Sequence, residues 1–226
     1  MTGHDTHAIT ILLANGEQVS GLSLAPPGAT CCFVFGHGAG AGMAHAFMSN
    51  FAEGLADRRI ATLRYQFPSM ERGSKRPDTP AVAHAAVRAA VDAAAERHPE
   101  QALIAGGKSF GGRMTSQAQA ERPLPGVRGL AFVGFPLHAA DKPSDQRAEH
   151  LARVEIPMLF LQGTRDELAT LSLLEPVVAK LGTRATLTLF DDADHSFHVR
   201  VRSGRTDPQV MSAMLDTFAA WAAQVC

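Results

Sequence analysis

The sequence of 226 residues predicts an α/β fold built on a mostly parallel twisted sheet. Short apolar runs alternate with helix-like segments along most of the chain. This alternation requires right-handed crossovers, which align the strands in parallel and place helices on both faces of the sheet. Near the N-terminus, Asn15-Gly16 separates two short apolar runs, and Asn-Gly is a strong signal for an antiparallel hairpin. We therefore expect the sheet to begin with such a hairpin.

The elements follow in chain order. The hairpin is predicted over 7–13 and 18–24, on either side of its turn. Beyond it, the pattern predicts strand 30–35, helix 45–58, strand 60–65, helix 80–97, strand 102–106, helix 112–121, strand 127–133, strand 156–162, helix 171–181, strand 185–190 and helix 208–223. Two connections, 66–79 and 134–155, are longer than the others and leave carboxyl ends of strands, where ligands bind in such sheets. Both are therefore candidate pocket walls.

Composition narrows the class of protein. With 46% hydrophobic residues, the chain can bury a substantial core, and residues 1–226 are expected to form one domain. The formal net charge of −1 supplies no basic field, so neither nucleic acid nor a membrane surface is an expected partner. Met1–Thr10 lacks the pattern of a signal peptide, and no stretch is long enough to span a bilayer. These features predict a soluble, cytoplasmic protein.

Metal and disulfide chemistry find little support in the sequence. The histidines lack the spacing of common zinc motifs, and no C-x-x-C pair is present, so no metal site is expected. Cys31 and Cys32 lie within an apolar strand pattern, and Cys226 ends the chain. Core packing is therefore the expected role of the two strand cysteines, and no disulfide framework is implied.

The segment Gly107-Lys108-Ser109-Phe110-Gly111 is the most informative motif in the sequence. It follows an apolar run and precedes a helix-like segment, which is the strand, sharp turn and helix that G-x-S-x-G requires. Glycines two before and two after the serine allow the strand and helix to pass close together. The pattern predicts Ser109 as a nucleophile.

A nucleophilic serine requires an imidazole base, and that base requires a carboxylate to orient it. Asp166 and His195 each follow a predicted strand, and the order Ser109, Asp166, His195 is the one found in α/β-hydrolases. Each residue also has a simpler role open to it: Ser109 could cap a helix, Asp166 could stabilise a turn, and His195 could be an exposed loop residue. Competing residues of the same types are His198 for the base and Asp191, Asp192 or Asp194 for the acid.

The oxyanion formed by attack on a carbonyl requires two backbone N–H donors. The residue after the nucleophile, Phe110, supplies the first in this motif. The second is expected from the glycine-rich segment 36–42, with Ala39 as the first candidate and Gly38 or Gly40 as alternatives. A plain glycine-rich turn is the simpler interpretation of that segment.

Two segments match nucleotide-binding motifs only in part. Residues 36–41 satisfy G-x-G-x-x-A, but the next strand ends in Arg64-Tyr65-Gln66 instead of the acid that a dinucleotide site requires. Gly107-Lys108-Ser109 resembles the end of a phosphate-binding loop, yet position 102 is alanine where that motif needs glycine. Neither segment therefore predicts a nucleotide site.

Together the motifs resemble the α/β-hydrolase superfamily and, more narrowly, its small dienelactone-hydrolase-like branch. The resemblance covers most of the chain and rests on the segments 35–42, 64–68, 107–113, 163–166 and 194–197. It implies an α/β-hydrolase fold and a cofactor-free hydrolase with Ser109 as nucleophile, His195 as base and then acid, and Asp166 as its orienting carboxylate. Dienelactone hydrolases proper use a cysteine nucleophile, whereas this chain has Ser109. Eukaryotic relatives associated with chromatin complexes indicate that the scaffold can also serve for interaction.

No insertion is long enough for a separate cap domain, which predicts a shallow, open pocket suited to short or flexible acyl groups. Loop placement suggests apolar or aromatic walls, formed by His37, Met43, Phe47, Phe67, Met70, Phe110, Phe135 and Leu137. The leading hypothesis is a carboxylesterase-like enzyme acting on a small-molecule ester with a small or medium acyl group. A thioesterase, lactonase, peptidase or acyltransferase using the same triad, and a non-catalytic binding module, stay open, as does a homodimer.

Overall fold

The computed structural model describes residues 4–74 and 76–226, so the first three residues of the predicted Met1–Thr10 segment lie outside the described residues. Its strands are β1 (Thr6–Leu12), β2 (Gln18–Leu24), β3 (Cys31–Gly36), β4 (Ile60–Tyr65), β5 (Ala102–Lys108), β6 (Val127–Val133), β7 (Met158–Gly163) and β8 (Ala185–Phe190). Its helices are α1 (Ala46–Ala56), α2 (Pro68–Glu71), α3 (Pro80–Arg97), α4 (Phe110–Glu121), α5 (Leu171–Leu181) and α6 (Asp207–Val225).

The strands form one eight-stranded sheet in the order β1-β2-β4-β3-β5-β6-β7-β8. The β1–β2 and β2–β4 pairs are antiparallel, and every other neighbouring pair is parallel. The predicted fold class is confirmed. Each predicted element is present within a few residues of its expected bounds, because apolar strand runs alternate with segments that bury one helical face.

The differences lie around the long connections and the serine motif. Helix α2 and a 3₁₀ segment, Gln146–Arg153, occupy the two stretches expected to be irregular. Strand β5 continues to Lys108 and α4 begins at Phe110, which leaves Ser109 alone between them. The turn is therefore sharper than the predicted gap of several residues.

Two hydrophobic clusters lie on opposite faces of the sheet. Phe33 and Phe35 contribute to the cluster covered by α1 and α6, while Cys32 and Val34 contribute to the cluster covered by α3, α4 and α5. Alternate residues of a strand face opposite sides, so one strand serves both cores. Cys31 and Cys32 are both buried, as expected of core residues.

Helix ends are set by local sequence. Helix α6 begins with a capping box in which Thr206 accepts from the Gln209 N–H and the Gln209 side chain accepts from the Thr206 N–H. Pro80 and Pro208 occupy first-turn positions, where the missing N–H removes no helical hydrogen bond. In the part of the chain that the structure describes, no helix is long and apolar enough to cross a membrane.

Candidate active site

The serine motif forms a strained turn at the carboxyl end of β5. Ser109 has φ +49° and ψ −114°, a conformation that few non-glycine residues adopt. A Cβ at Gly107 or Gly111 would lie 2.4 or 2.3 Å from the carbonyl oxygen of Gly36. The two glycines therefore let β3, β5 and α4 converge closely enough to hold the Ser109 side chain at the sheet edge.

Ser109, His195 and Asp166 form a continuous hydrogen-bonded chain. His195 Nε2 lies 2.9 Å from Ser109 Oγ, and His195 Nδ1 lies 2.7 Å from Asp166 Oδ2. The Asp166 side chain is fully buried, whereas that of His195 is 20% exposed. A buried carboxylate fixes the Nδ1–H tautomer and leaves Nε2 free to accept the serine proton.

Further donors hold the Asp166 carboxylate. The Leu168 N–H donates to Oδ1 at 2.8 Å, and the Gln162 side-chain amide donates to Oδ2. Gln162 in turn accepts from the Phe135 N–H at 2.9 Å. The carboxylate is therefore held by the loop after β7 and by Gln162 of β7, which the connection after β6 holds in turn. A buried charge of this kind needs such partners.

The competing acids and base have other partners. Asp194 accepts from the N–H groups of Ser196 and His198, and His198 pairs with Asp207 at 2.6 Å. That pairing raises the pKa of His198 through the Asp207 hydrogen bond. Asp192 pairs with Arg165 and Arg200, and Asp191 is exposed. Across the described ranges, none of the three competing aspartates hydrogen-bonds to the His195 ring.

Lys108 contributes to the site although the sequence prediction gave it no role. Its Nζ donates to the His195 carbonyl oxygen at 2.6 Å and lies over the rings of Phe47 and Phe197, 5.8 and 5.6 Å from their centroids. Burial lowers the pKa of Lys108 to about 8, although Asp166 and Asp194 favour its charged form. The lysine thus ties the His195 loop to the serine strand. Its place immediately before Ser109 is the only sequence signal of this contact.

Two backbone N–H groups are available near Ser109. Phe110 is the first residue of α4, and Ala39 lies in the loop after β3. Among the residues described, neither N–H donates to a protein acceptor. A Cβ on the adjacent Gly38 would lie 3.7 Å from Ser109 Cβ, which places this loop beside the serine. The arrangement suits stabilisation of a developing oxyanion.

His37 supports the same loop. Its Nδ1 lies 2.8 Å from the Gly38 carbonyl oxygen, and its Nε2 accepts from the Phe67 N–H at 3.0 Å. Burial lowers the pKa of His37, which favours the neutral ring that both contacts require. His37 therefore joins the loop after β3 to the segment after β4, and neither of these hydrogen bonds involves Ser109.

A cavity of about 900 Å³ opens onto Ser109 and His195 and runs between α1 and α6. Among the expected wall residues, Phe47 lines this cavity, while His37, Phe67, Met70 and Phe110 line a recess of only about 10 Å³ beside Ala39. Met43 is partly buried and lines neither space; its backbone bonds to the side chains of Gln66 and Arg64.

Phe135 and Leu137 lie in the core, which corrects their assignment to the pocket wall. Gly134 has φ +70°, and the chain after it turns inward, where Phe135 packs against Phe132 and Phe160. The residues that sequence reasoning missed lie on α6, with Met211 as an example, and on the loop after His195. No local motif marks these positions, because their role depends on how two distant helices pack.

A mostly parallel sheet with a serine in a strand–helix elbow, followed by an acid and a histidine at later strand ends, defines an α/β hydrolase scaffold. Residues 29–223 match the family described as the alpha/beta hydrolase domain, and the chain belongs to that family. The predicted resemblance is thereby confirmed at the level of family and fold.

Solved structures with a similar fold include a dienelactone hydrolase from Anabaena variabilis, at 21% identity and a TM-score of 0.80, with 98% of each chain covered. An α/β serine hydrolase without lid from Xanthomonas campestris has 19% identity and a TM-score of 0.74, covering 98% of this chain and 97% of that one. The esterase domain of a Rhodothermus marinus protein has 15% identity and a TM-score of 0.74, covering 97% and 98%. These likenesses show that the chain shares the fold of small α/β hydrolases.

Proposed function

We propose that this protein is a serine hydrolase that cleaves carboxylic esters through an acyl-enzyme. The observation that carries the proposal is the hydrogen-bonded chain from Ser109 Oγ through His195 to the buried Asp166 carboxylate. A serine hydroxyl becomes a useful nucleophile when a neutral imidazole can accept its proton and a carboxylate stabilises the resulting imidazolium.

In the first half-reaction, Ser109 Oγ attacks the ester carbonyl carbon while His195 Nε2 accepts the hydroxyl proton. The Phe110 and Ala39 N–H groups donate to the resulting oxyanion. The tetrahedral intermediate collapses when the bond to the alcohol oxygen breaks, and His195 gives its proton to that oxygen. The products are a free alcohol and an ester of Ser109.

In the second half-reaction, His195 accepts a proton from water, and the water oxygen attacks the acyl carbon. Collapse of this intermediate breaks the bond to Ser109 Oγ, which regains its proton from His195. The acid product leaves and the free enzyme is restored. Asp166 stays ionised throughout and orients His195.

The comparisons lend this choice of bond further support. The similar structures include a serine hydrolase and an esterase domain. An oxygen nucleophile with a histidine base is also well suited to carboxylic esters, whose alcohol leaves readily once it is protonated.

The test uses a fluorophosphonate, which reacts with activated serines and requires no knowledge of the natural substrate. Intact mass should show one adduct on the wild type and none on Ser109→Ala, which should also lose ester turnover. Ser196→Ala removes an exposed hydroxyl two residues from Asp194 and should keep the adduct. An adduct that persists on folded Ser109→Ala would overturn the proposal.

A further inference from the structure

The cavity next to Ser109 continues well beyond the reacting atoms. Along α1 it is lined by Phe47, Asn50 and Gly54, which are spaced at three or four residues and therefore lie on one face of the helix. Arg58, in the turn just after the helix, lines it as well. Phe47 contacts Lys108, so this end of the stripe lies beside the serine. The stripe from Phe47 to Gly54 is about 10 Å long at 1.5 Å per helical residue.

The opposite wall belongs to the first half of α6. Pro208, Met211 and Leu215 share one face of that helix and line the same space. At the serine end Phe197 completes the wall, stacked 6.1 Å from Phe47. Side chains from both helices and the His195 loop therefore form an elongated, predominantly apolar groove.

The two helices are in contact at Gly54. A Cβ there would lie 2.3 Å from Leu215 Cδ1, so the missing side chain allows Leu215 to pack directly against α1. Beyond this point the lining becomes polar, and Arg58 pairs with Asp216 at 2.6 Å. The groove thus has a reactive serine at one end, an apolar middle and a charged, solvent-facing far end.

From this arrangement we infer that the groove between α1 and α6 binds a straight aliphatic chain of about eight carbons, belonging to the ester that Ser109 attacks. An extended chain advances ~1.3 Å per carbon, given C–C bonds of about 1.5 Å, so about eight carbons match the length of the stripe. This inference rests on the proposed function and replaces the expected preference for short acyl groups. A chain of this class can belong to the acyl or the alcohol part of the ester.

The experiment measures kcat/KM in two substrate series. One varies the acyl group of nitrophenyl esters from two to twelve carbons, and the other varies the alcohol of acetate esters over the same range. Burial in the groove should raise kcat/KM by up to about fourfold per methylene until the groove is filled. A rise in the first series assigns the groove to the acyl chain, and a rise in the second assigns it to the alcohol. No rise in either series overturns the inference.

Substitutions on α6 test whether the aliphatic chain binds in the groove. Met211→Trp fills the middle of the groove and should lower the ratio of kcat/KM for the longest favoured ester to that for the shortest at least tenfold. Ala220→Trp, which places the same side chain at an exposed position of α6 outside the groove, should leave that ratio unchanged. Ser212→Trp, at an exposed position of the groove wall, repeats the test if Met211→Trp does not fold.

The outcomes separate this inference from the proposed function. Ester turnover that depends on Ser109 but does not change with chain length overturns the groove inference and leaves the proposed serine hydrolase in place. A long-chain activity that tryptophan in the groove does not lower has the same meaning. Short-ester turnover that survives Ser109→Ala removes the proposed function, and the groove inference falls with it.

Discussion

The serine elbow and the groove beside it are adjacent in space but differ in how they are specified. Gly107 and Gly111 shape the elbow within five residues of sequence, and both contact Gly36. The groove joins Phe47 of α1 to Met211 of α6, which are far apart in the chain. Reactive groups are therefore positioned by short backbone motifs at strand ends, whereas the shape of the binding space depends on the packing of distant helices.

The largest expected effect belongs to the catalytic chain. Asp166→Asn should lower kcat about 10⁴-fold, because an amide can favour the wrong tautomer of His195. Fluorophosphonate labelling and ester kinetics measure the loss, and thermal unfolding checks that the variant is folded.

Asp194→Asn is the matched control for this prediction. The asparagine oxygen can still accept from the Ser196 and His198 N–H groups, which are the partners of Asp194 Oδ1. Its kcat should stay within tenfold of the wild type. An Asp194→Asn loss as large as that of Asp166→Asn would show that the acid has been assigned to the wrong loop.

Breaking the elbow should affect stability as well as turnover. Gly107→Ala places a Cβ 2.4 Å from the Gly36 carbonyl oxygen, whereas the nearest atom at Gly38→Ala is 3.7 Å away. We expect Gly107→Ala to reduce the free energy of unfolding by about 3 kcal/mol and Gly38→Ala to be far milder, measured by denaturant unfolding. Equal losses would contradict the close convergence of β3, β5 and α4.

His150 tests whether the 134–155 connection belongs to the scaffold. It is buried against Ser116 of α4, and burial, reinforced by the positive charges of Arg153 and Arg113, lowers its pKa to about 4. An unfolded histidine has a pKa of about 6.5. Between these values the unfolded chain binds more protons, so this contribution to stability is complete above about pH 6.5 and is lost as the pH falls towards 4.

The size of that loss is up to about 3 kcal/mol, the free-energy equivalent of the pKa difference. Unfolding measured from pH 7 to pH 4 should therefore be less pH-dependent in His150→Gln than in the wild type. The same substitution should leave the ester chain-length preference unchanged, because His150 lines no part of the groove. A changed preference would place this connection in the binding wall after all.

The smallest expected effect concerns the loop that carries Ala39. His37→Ala removes the contacts to Gly38 and Phe67 and should lower kcat about tenfold through a misplaced oxyanion donor. The factor should be the same for short and long esters, since the donor acts on the carbonyl. His37→Gln, which can still accept from the Phe67 N–H, should recover part of the loss. A loss of kcat confined to long esters would show that His37 acts on the groove instead of supporting the loop.

Most of the fold could be predicted because local sequence patterns identify its strands and helices. Strand β4, helix α3 and strand β6 have the bounds expected from their apolar runs. The short α2 and the segment Gln146–Arg153 could not be predicted, since neither has a long enough periodic pattern. Phe135 and Leu137 were misassigned because a residue just after a strand end can turn inward or outward, and Gly134 permits the inward turn.

By itself, the sequence determined the α/β fold class, the strained serine turn and the order of the three residues proposed for catalysis, because these depend on strand periodicity, glycine at fixed positions and residue type. Only the tertiary structure decided which aspartate meets His195, that Lys108 holds the His195 loop, and that α1 and α6 enclose a groove. Those features depend on distances between segments far apart in the chain, and such distances are fixed only when the helices and loops pack on the sheet.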